Sequence, residues 1–182
     1  MKQNSLHGKT LSALTLVAAL WSAPLLLAQD TPQAAKPQPA SASGQAVKTF
    51  DELADKALVA MKQRAEQLNI KGAAVIAYLA EGGAKTWSSK MTVVGSHKAG
   101  SSSTDPGVNL IAIAYSKAAE MADTLKDSGS GIRPPMKGEF GWQGGLIVKG
   151  KTGYLIAAFS GGPAADDVKV SQAGLNFLAG KL

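Results

Sequence analysis

The chain has 182 residues, of which 45% are hydrophobic, 18% are charged and none is cysteine. Its length suits one domain of ordinary size with short additional segments. The absence of cysteine excludes disulfides, thiol nucleophiles and cysteine-ligated zinc or iron–sulfur sites. The formal net charge is +6 and only 5% of the residues are aromatic. No basic patch interleaved with aromatic residues is visible, so nucleic acid is not an expected partner.

The N-terminal segment has the pattern of a secretory signal peptide. Two lysines precede an apolar run over residues 11–27, and Ala28 supplies a small residue where cleavage is expected. An uncleaved membrane anchor is the alternative, but Pro24 interrupts the run. We therefore predict a signal peptide over residues 1–28, a periplasmic or secreted protein, and no membrane span after cleavage. Loss of the two lysines would lower the net charge from +6 to +4.

Residues 29–48 are rich in Pro, Ala, Gln and Ser and poor in large apolar side chains. Such a segment buries too little apolar surface to offset the entropy of ordering it. The composition predicts a disordered, semi-extended tether that acts as a spacer without a binding role. The folded domain is expected over residues 49–182.

The first half of the domain predicts a helix followed by a β-hairpin. Thr49 is a suitable N-cap, and apolar residues then recur every three or four positions as far as Asn69. Residues 73–79 predict a buried strand, and the Gly-Gly turn at 81–84 predicts a hairpin. The partner strand is expected over residues 85–94, antiparallel to the first.

The second half predicts a helix, a long loop, a second hairpin and a final helix. After a polar loop, residues 107–126 predict a helix whose early part is apolar almost all round, which indicates burial by its own domain or by another subunit. The Gly- and Pro-rich residues 127–143 predict a long irregular loop of the kind that carries function. The last predicted elements are two strands and a helix, over residues 144–149, 153–160 and 164–178. Successive hairpins favour an antiparallel α+β sheet over a doubly wound parallel one.

Three stretches of the domain follow one another in an order and at a spacing similar to those of a known family. They are Asn-Ile-Lys-Gly-Ala-Ala-Val-Ile-Ala at 69–77 before Glu-Gly-Gly at 81–83, Ala-Ile-Ala-Tyr-Ser-Lys-Ala-Ala at 112–119, and Gly-Gly-Leu-Ile at 144–147 before Ser-Gly-Gly-Pro-Ala-Ala-Asp-Asp at 160–167 and Ala-Gly-Leu at 173–175. On these residues the chain resembles the GlcG/HbpS-like family of haem-binding and haem-associated domains, also found as the C-terminal part of PduO-type proteins. The resemblance spans about residues 50–178.

The resemblance implies a profilin-like fold, in which helices cover both faces of a five-stranded antiparallel sheet. It also implies haem as the cofactor and assembly into a homo-oligomer. The implied function is binding of haem, or of a related small anionic ligand, in a sensing, scavenging or accessory role. Two alternatives stay open: a haem-dependent oxidative enzyme that degrades haem or removes peroxide, and a ligand-free oligomeric module that interacts with the envelope.

Haem needs an apolar slot, usually an axial ligand, and often basic groups for its propionates. The candidate axial ligands are Met136, Tyr115 and His97, the last being the only histidine outside the predicted signal peptide. Arg133 and Lys137 are the candidate propionate partners. Each has an ordinary explanation too, because a histidine in a Ser- and Gly-rich loop and charges in a proline-stiffened loop are usually solvated.

Ser160, Gly161 and Gly162 precede the last predicted helix, where free backbone N–H groups and the helix dipole favour an anion. We include these three residues among the candidate ligand-binding residues. Asp166 and Asp167 lie in the first turn of that helix and partly neutralise its field. Simple capping of the helix is therefore the alternative.

Other chemistry finds less support in the sequence. Asp51, Glu52 and Asp55 place carboxylates at helical spacing and resemble weak acidic iron sites of some relatives, although an exposed acidic turn usually serves solubility. No Ser-His-Asp set, Walker loop or dinucleotide-binding fingerprint is present. An enzyme that works through its own side chains is therefore not expected, and any chemistry would be that of a bound cofactor.

Overall fold

The structure is a computed structural model and describes residues 42–80 and 86–182. These residues form three helices, a four-stranded antiparallel sheet and a separate two-stranded sheet. The elements, in chain order, are α1 (Ala42–Gln67), β1 (Gly72–Ala80), β2 (Trp87–Val94), β3 (Lys98–Ala99), β4 (Val108–Asn109), α2 (Leu110–Thr124), β5 (Gly145–Lys149), β6 (Gly153–Ser160) and α3 (Ala164–Leu178). The predicted mixed α+β class with antiparallel hairpins is confirmed.

The main sheet has the strand order β2-β1-β6-β5, and every neighbouring pair is antiparallel. At the centre of the register, Val75 of β1 lies between Met91 of β2 and Ala158 of β6. All nine residues of β1 are buried. A strand buried on both faces requires cover on both sides of the sheet, which explains why β1 is an uninterrupted apolar run.

The helices provide that cover as two layers. On one face, Ile76 of β1 packs in a cluster with Phe50 of α1 and Leu175 of α3. On the other face, Val75 packs in a second cluster with Ile113 of α2. Because successive side chains of a strand point to opposite faces, the sequence of β1 serves both clusters at once.

The first helix begins earlier than the sequence predicts. Residues 42–48, assigned to the disordered tether, are the first turns of α1, so the tether prediction is wrong for them. Ala46 is only 7% exposed and belongs to the same cluster as Phe50. The Thr49 hydroxyl donates to the Gln45 carbonyl one turn back, at 3.0 Å, so Thr49 lies inside the helix and does not cap it. The predicted signal peptide, the rest of the tether and the turn at 81–84 lie outside the described residues.

The second helix begins later than predicted, at Leu110. The side chain of Asn109 caps it by accepting hydrogen bonds from the backbone N–H groups of Ile111 and Ala112, at 3.0 and 3.2 Å. Ile113 and Ala114 are buried within the domain, so the domain itself accounts for much of the apolar surface of α2. No helix within the described residues combines the length and apolar character needed to cross a membrane.

The predicted count of five strands in one sheet is not confirmed. Within the described residues the main sheet has four strands, and β3 and β4 pair only with each other. Of the other late elements, β6 and α3 have the predicted bounds, and β5 begins one residue after the predicted position. Residues 127–143 contain no helix or strand, as predicted.

Candidate functional site

A cavity of about 320 Å³ lies where the end of β6 meets the first turns of α2 and α3. Much of its wall is apolar and comes from Val108, Leu110, Ile113 and Trp142. Trp142 reaches the cavity from the irregular segment 127–143, so this long loop contributes to the site. The volume is that of a pocket for a small organic molecule.

The polar part of the wall is a buried ion pair between α2 and α3. Lys117 Nζ donates to Asp167 Oδ2 at 2.9 Å and to the carbonyl of Phe159 at 2.7 Å. The two charged side chains are only 3% and 4% exposed. Both residues line the cavity. Charged groups are rarely buried unless they are paired and hydrogen-bonded in this way.

Burial dominates the titration of both partners. Desolvation lowers the pKa of Lys117 below its usual range, although the Asp167 carboxylate opposes this shift. Desolvation likewise raises the pKa of Asp167, although Lys117 and the backbone amides of Gly162 and Gly161 oppose it. Both shifts have the same main cause, which is the removal of a charged group from water.

Asp167 also holds the Ser-Gly-Gly turn. Its Oδ1 atom accepts a hydrogen bond from the backbone N–H of Gly162 at 2.9 Å. Pro163 at the N-cap of α3 makes no side-chain capping bond, so this carboxylate satisfies a donor at the helix start. An acidic side chain thus binds the turn before α3, and Ser160, Gly161 and Gly162 also line the cavity.

The absence of a side chain at Gly144 makes room for the ion pair. Its φ of +129° is strained for any residue with a side chain. A Cβ atom there would clash with Lys117 Nζ and come within 2.8 Å of the Cβ of Asp167. Ser171 fixes this position from α3, because its hydroxyl donates to the Gly144 carbonyl at 2.6 Å. Sequence reasoning missed both Lys117 and Gly144, and the available signal was a lysine within an otherwise apolar stretch of α2.

A second cavity of about 450 Å³ adjoins the first. Ala99, Leu110, Gly161 and Gly162 line both cavities. The second is more polar, with Lys71 and Lys98 among its lining residues. Residues of the Ser-Gly-Gly turn thus lie between a mainly apolar cavity with a buried ion pair and a more basic one.

The sequence-predicted site residues do not come together. Ser160, Gly161 and Gly162 line the first cavity, whereas His97, Met136, Tyr115, Arg133 and Lys137 do not. His97 is exposed, and its backbone carbonyl accepts a hydrogen bond from the N–H of Leu110 at 2.9 Å. Met136 is 51% exposed, and Tyr115 packs against the cluster on the α2 face of the sheet.

Arg133 is committed to partners within the chain. It donates to Asp123 Oδ2 of α2 at 2.7 Å and to Glu139 Oε2 at 2.7 Å. The hydrogen bond from Arg133 lowers the pKa of Glu139 to about 2. Lys137, two residues before Glu139, is exposed. Arg133 therefore anchors segment 127–143 on α2, a role that conflicts with its expected one as a free propionate partner.

The acidic residues at the start of the predicted first helix do not form a metal site. Asp55 pairs with Lys90 of β2 at 2.9 Å, and Asp51 and Glu52 are exposed. Among residues 42–80 and 86–182, no group of three or more His, Cys, Asp or Glu side chains is placed to hold a metal ion.

No family model and no curated protein matches the chain. The residues of the first cavity also test whether haem fits there. Within the part of the chain that the structure describes, no residue that lines it is His, Met, Tyr or Cys, so these residues supply no common axial ligand for haem iron. The described lining suits an apolar molecule better than it suits haem, because it offers the iron none of its usual axial ligands.

Proposed function

We propose that this chain is an extracytoplasmic binding domain that takes a small, mainly apolar ligand in the cavity beside Ser160, Gly161 and Gly162, in a sensing, scavenging or accessory role. The observation that carries the proposal is the buried pair of Lys117 and Asp167 on the wall of an apolar cavity. Perturbed, paired charges in a cleft are typical of functional sites. The extracytoplasmic location rests on the predicted signal peptide.

We also propose that the domain is a variant of the profilin-like GlcG/HbpS-like fold. Helices on both faces of an antiparallel sheet support this proposal. The three stretches that carry the resemblance include most of β1, part of α2 and the β6–α3 connection. Haem remains the ligand that the resemblance implies, and it is therefore one of the probes to test.

A neutral apolar dye tests the proposed cavity. Titration with N-phenyl-1-naphthylamine, followed by dye fluorescence, should show saturable binding of one molecule per chain. Val108→Trp should weaken this binding about tenfold, because Val108 lines the cavity and the larger side chain would fill part of the cavity. Val108 is 45% exposed, so the fold should tolerate the substitution. The matched control is Val59→Trp on α1, at a valine 53% exposed outside the cavity. Equal affinities of the two variants would contradict the proposal.

Haem binding has its own test. Haem is titrated into the protein and the Soret band is recorded, with His97→Ala and Met136→Ala in parallel. A saturable, red-shifted band that one substitution abolishes would establish a haem site and identify its axial ligand. A featureless titration would remove haem from the proposal and leave the cavity ligand to be sought among smaller molecules.

A second candidate function is self-association, which we propose because large apolar side chains are exposed together in one segment. Ile132, Met136, Phe140 and Trp142 are 43–59% exposed. Phe140 and Trp142 also contact each other, with ring centroids 5.0 Å apart, and contiguous exposed apolar surface is typical of interaction sites. Sedimentation velocity of the ligand-free chain tests this candidate, and a monomer at all concentrations would contradict it.

A further inference from the structure

We infer that the cavity selects a neutral, mainly apolar ligand with one hydrogen-bond-accepting oxygen. The third N–H group of Lys117 donates a hydrogen bond to that oxygen. The inference rests on the proposed function, because it names the class of ligand for the same cavity. It also departs from the anionic ligand that the sequence leads us to expect.

The first step is the donor count at Lys117. A lysine ammonium carries three N–H donors and no acceptor. Two of them are used, by the carbonyl of Phe159 and by Asp167 Oδ2. Within residues 42–80 and 86–182, no group accepts the third. A buried N–H donor without an acceptor is costly, and Lys117 is one of the residues that line the cavity, so an oxygen of a bound molecule is the natural acceptor.

The second step is the charge at this wall of the cavity. Asp167 lies 2.9 Å from the Lys117 ammonium and cancels its charge. The Gly162 amide, which would otherwise attract an anion at the start of α3, already donates to Asp167. Among the described residues that line this cavity, Lys117 and Asp167 are the only charged ones. A ligand carboxylate would therefore lose its hydration, face the Asp167 carboxylate and gain no uncompensated positive charge.

The third step is the shape of the rest of the wall. Leu110, Ile113 and the indole of Trp142 offer apolar surface to a flat or branched hydrocarbon body. A volume of about 320 Å³ accommodates a bicyclic aromatic compound with a short substituent. The expected ligand class is thus an aromatic or alicyclic ketone, ester or similar neutral carbonyl compound.

The experiment compares three probes that share one ring system. They are 2-acetylnaphthalene, 2-ethylnaphthalene and 2-naphthoate, which carry a neutral carbonyl, no polar atom and a carboxylate. Isothermal titration calorimetry on the full chain should give the ketone an affinity at least about tenfold higher than either of the others, because the hydrogen bond comes from a charged donor.

The outcomes separate the inference from the proposed function. If 2-ethylnaphthalene binds as tightly as the ketone, Lys117 donates no bond to the ligand and the inference is wrong. If 2-naphthoate binds best, Asp167 does not cancel the charge of Lys117 towards the ligand, and the inference is wrong. In both cases the cavity still binds a ligand and the proposed function stands. If none of the three binds, the proposed function fails together with the inference.

Removal of the negative charge of Asp167 should shift the preference of the cavity from the ketone towards the carboxylate, which tests the same inference. Asp167→Asn retains an oxygen for the Gly162 amide but leaves Lys117 without a counterion, so 2-naphthoate should gain at least about tenfold in affinity relative to the ketone. The control is Asp166→Asn, which makes the same change of charge at a residue that pairs with Lys169 and does not line the cavity. Unchanged preference in Asp167→Asn would overturn the inference. The three-probe comparison on the unaltered chain decides it even if that variant does not fold.

Discussion

At the scale of single residues, the pair of Lys117 and Asp167 affects both the stability of the fold and the cavity. Each side chain is buried, and each is the counterion of the other. Lys117→Met would leave the Asp167 carboxylate buried without a counterion, and we expect the free energy of unfolding to fall by about 3–5 kcal/mol. Chemical denaturation measures this change. Lys169→Met is the matched control, since it breaks the exposed pair of Lys169 with Asp166 and should cost under about 1 kcal/mol.

The double variant Lys117→Met/Asp167→Asn belongs with this prediction. It removes both charges but keeps a side-chain oxygen for the Gly162 amide, so it should recover most of the stability that Lys117→Met loses. A double variant no more stable than the single one would show that the loss came from packing of the lysine stem and not from an uncompensated carboxylate.

Gly144 provides the second prediction at this scale. Gly144→Ala introduces strain at a φ of +129° and a clash with the ion pair. We expect it to cost about 1–3 kcal/mol from the backbone and a similar amount from overpacking. Gly138→Ala separates the two effects, because Gly138 has a φ of +95° with no atom within 4 Å of the added Cβ. Equal losses of unfolding free energy in the two variants would contradict the packing argument.

At the scale of elements, the start of α1 distinguishes a helix from a tether. Ala46→Asp should lower the free energy of unfolding by about 2 kcal/mol, because it places a charge in the cluster that contains Phe50. Gln45→Asp, at the exposed neighbouring position, should change it by under about 0.5 kcal/mol. If residues 42–48 were a tether, as the composition suggests, neither substitution would matter.

The ion pair of Arg133 and Glu139 within segment 127–143 gives a prediction about pH. Glu139 has a pKa of about 2, against an ordinary value of 4.5, mainly because Arg133 donates hydrogen bonds to it. A lowered carboxyl pKa means that the stabilisation from the Arg133–Glu139 pair is fully present above pH 4.5 and is lost as the pH falls towards 2. The backbone N–H of Met136 donates to Glu139 at 2.8 Å, so its NMR resonance should titrate with a midpoint near 2.

Two variants identify the cause of that midpoint. Arg133→Met should return it towards 4.5, since the main stabilising donor is removed. Lys137→Met removes an exposed cation from the same segment without touching the Arg133–Glu139 pair, and should leave the midpoint unchanged. A wild-type midpoint near 4.5 would mean that Arg133 does not stabilise the Glu139 carboxylate.

Several elements could be predicted from the sequence because their signals are local. The bounds of β6 and α3 follow from a continuous apolar strand, a Gly-Gly-Pro turn and a helical periodicity. The start of α1 could not be predicted, because Ala, Ser, Gln and Gly are also common in linkers. The burial of Ala46 depends on contacts that form only on folding. The Asn109 cap was missed because the apolar pattern extends past it in both directions.

The candidate site was harder to predict than the fold because its contacts are long-range. Lysine is normally exposed, and the burial of Lys117 requires a carboxylate 50 residues away in the sequence. Ser160, Gly161 and Gly162 were found because their types and spacing indicate a helix start. His97, Met136 and Arg133 are candidates for binding haem because of their residue types alone. Nothing local in a loop sequence indicates that Arg133 is already paired.

At the scale of the whole molecule, the two-layered core explains where the cavity lies. The central strands β1 and β6 are buried on both faces, so their side chains leave no room for a ligand within the sheet. At the end of β6, by contrast, residues of α2, α3 and segment 127–143 line one cavity. A ligand bound there would contact three elements at once and should stabilise the whole domain.

The outer surface of segment 127–143 gives the last prediction, which concerns assembly. Phe140 and Trp142 are 43% and 52% exposed, with ring centroids 5.0 Å apart. If the exposed apolar side chains hold copies of the chain together, Phe140→Ser should weaken self-association at least about tenfold in sedimentation velocity, since a buried aromatic ring contributes about 1.5–3 kcal/mol. Val59→Ser, at an exposed valine of α1, should leave the sedimentation coefficient unchanged. Because Phe140 does not line the cavity, dye binding should survive in both variants, and its loss in Phe140→Ser would indicate that assembly and ligand binding depend on the same surface.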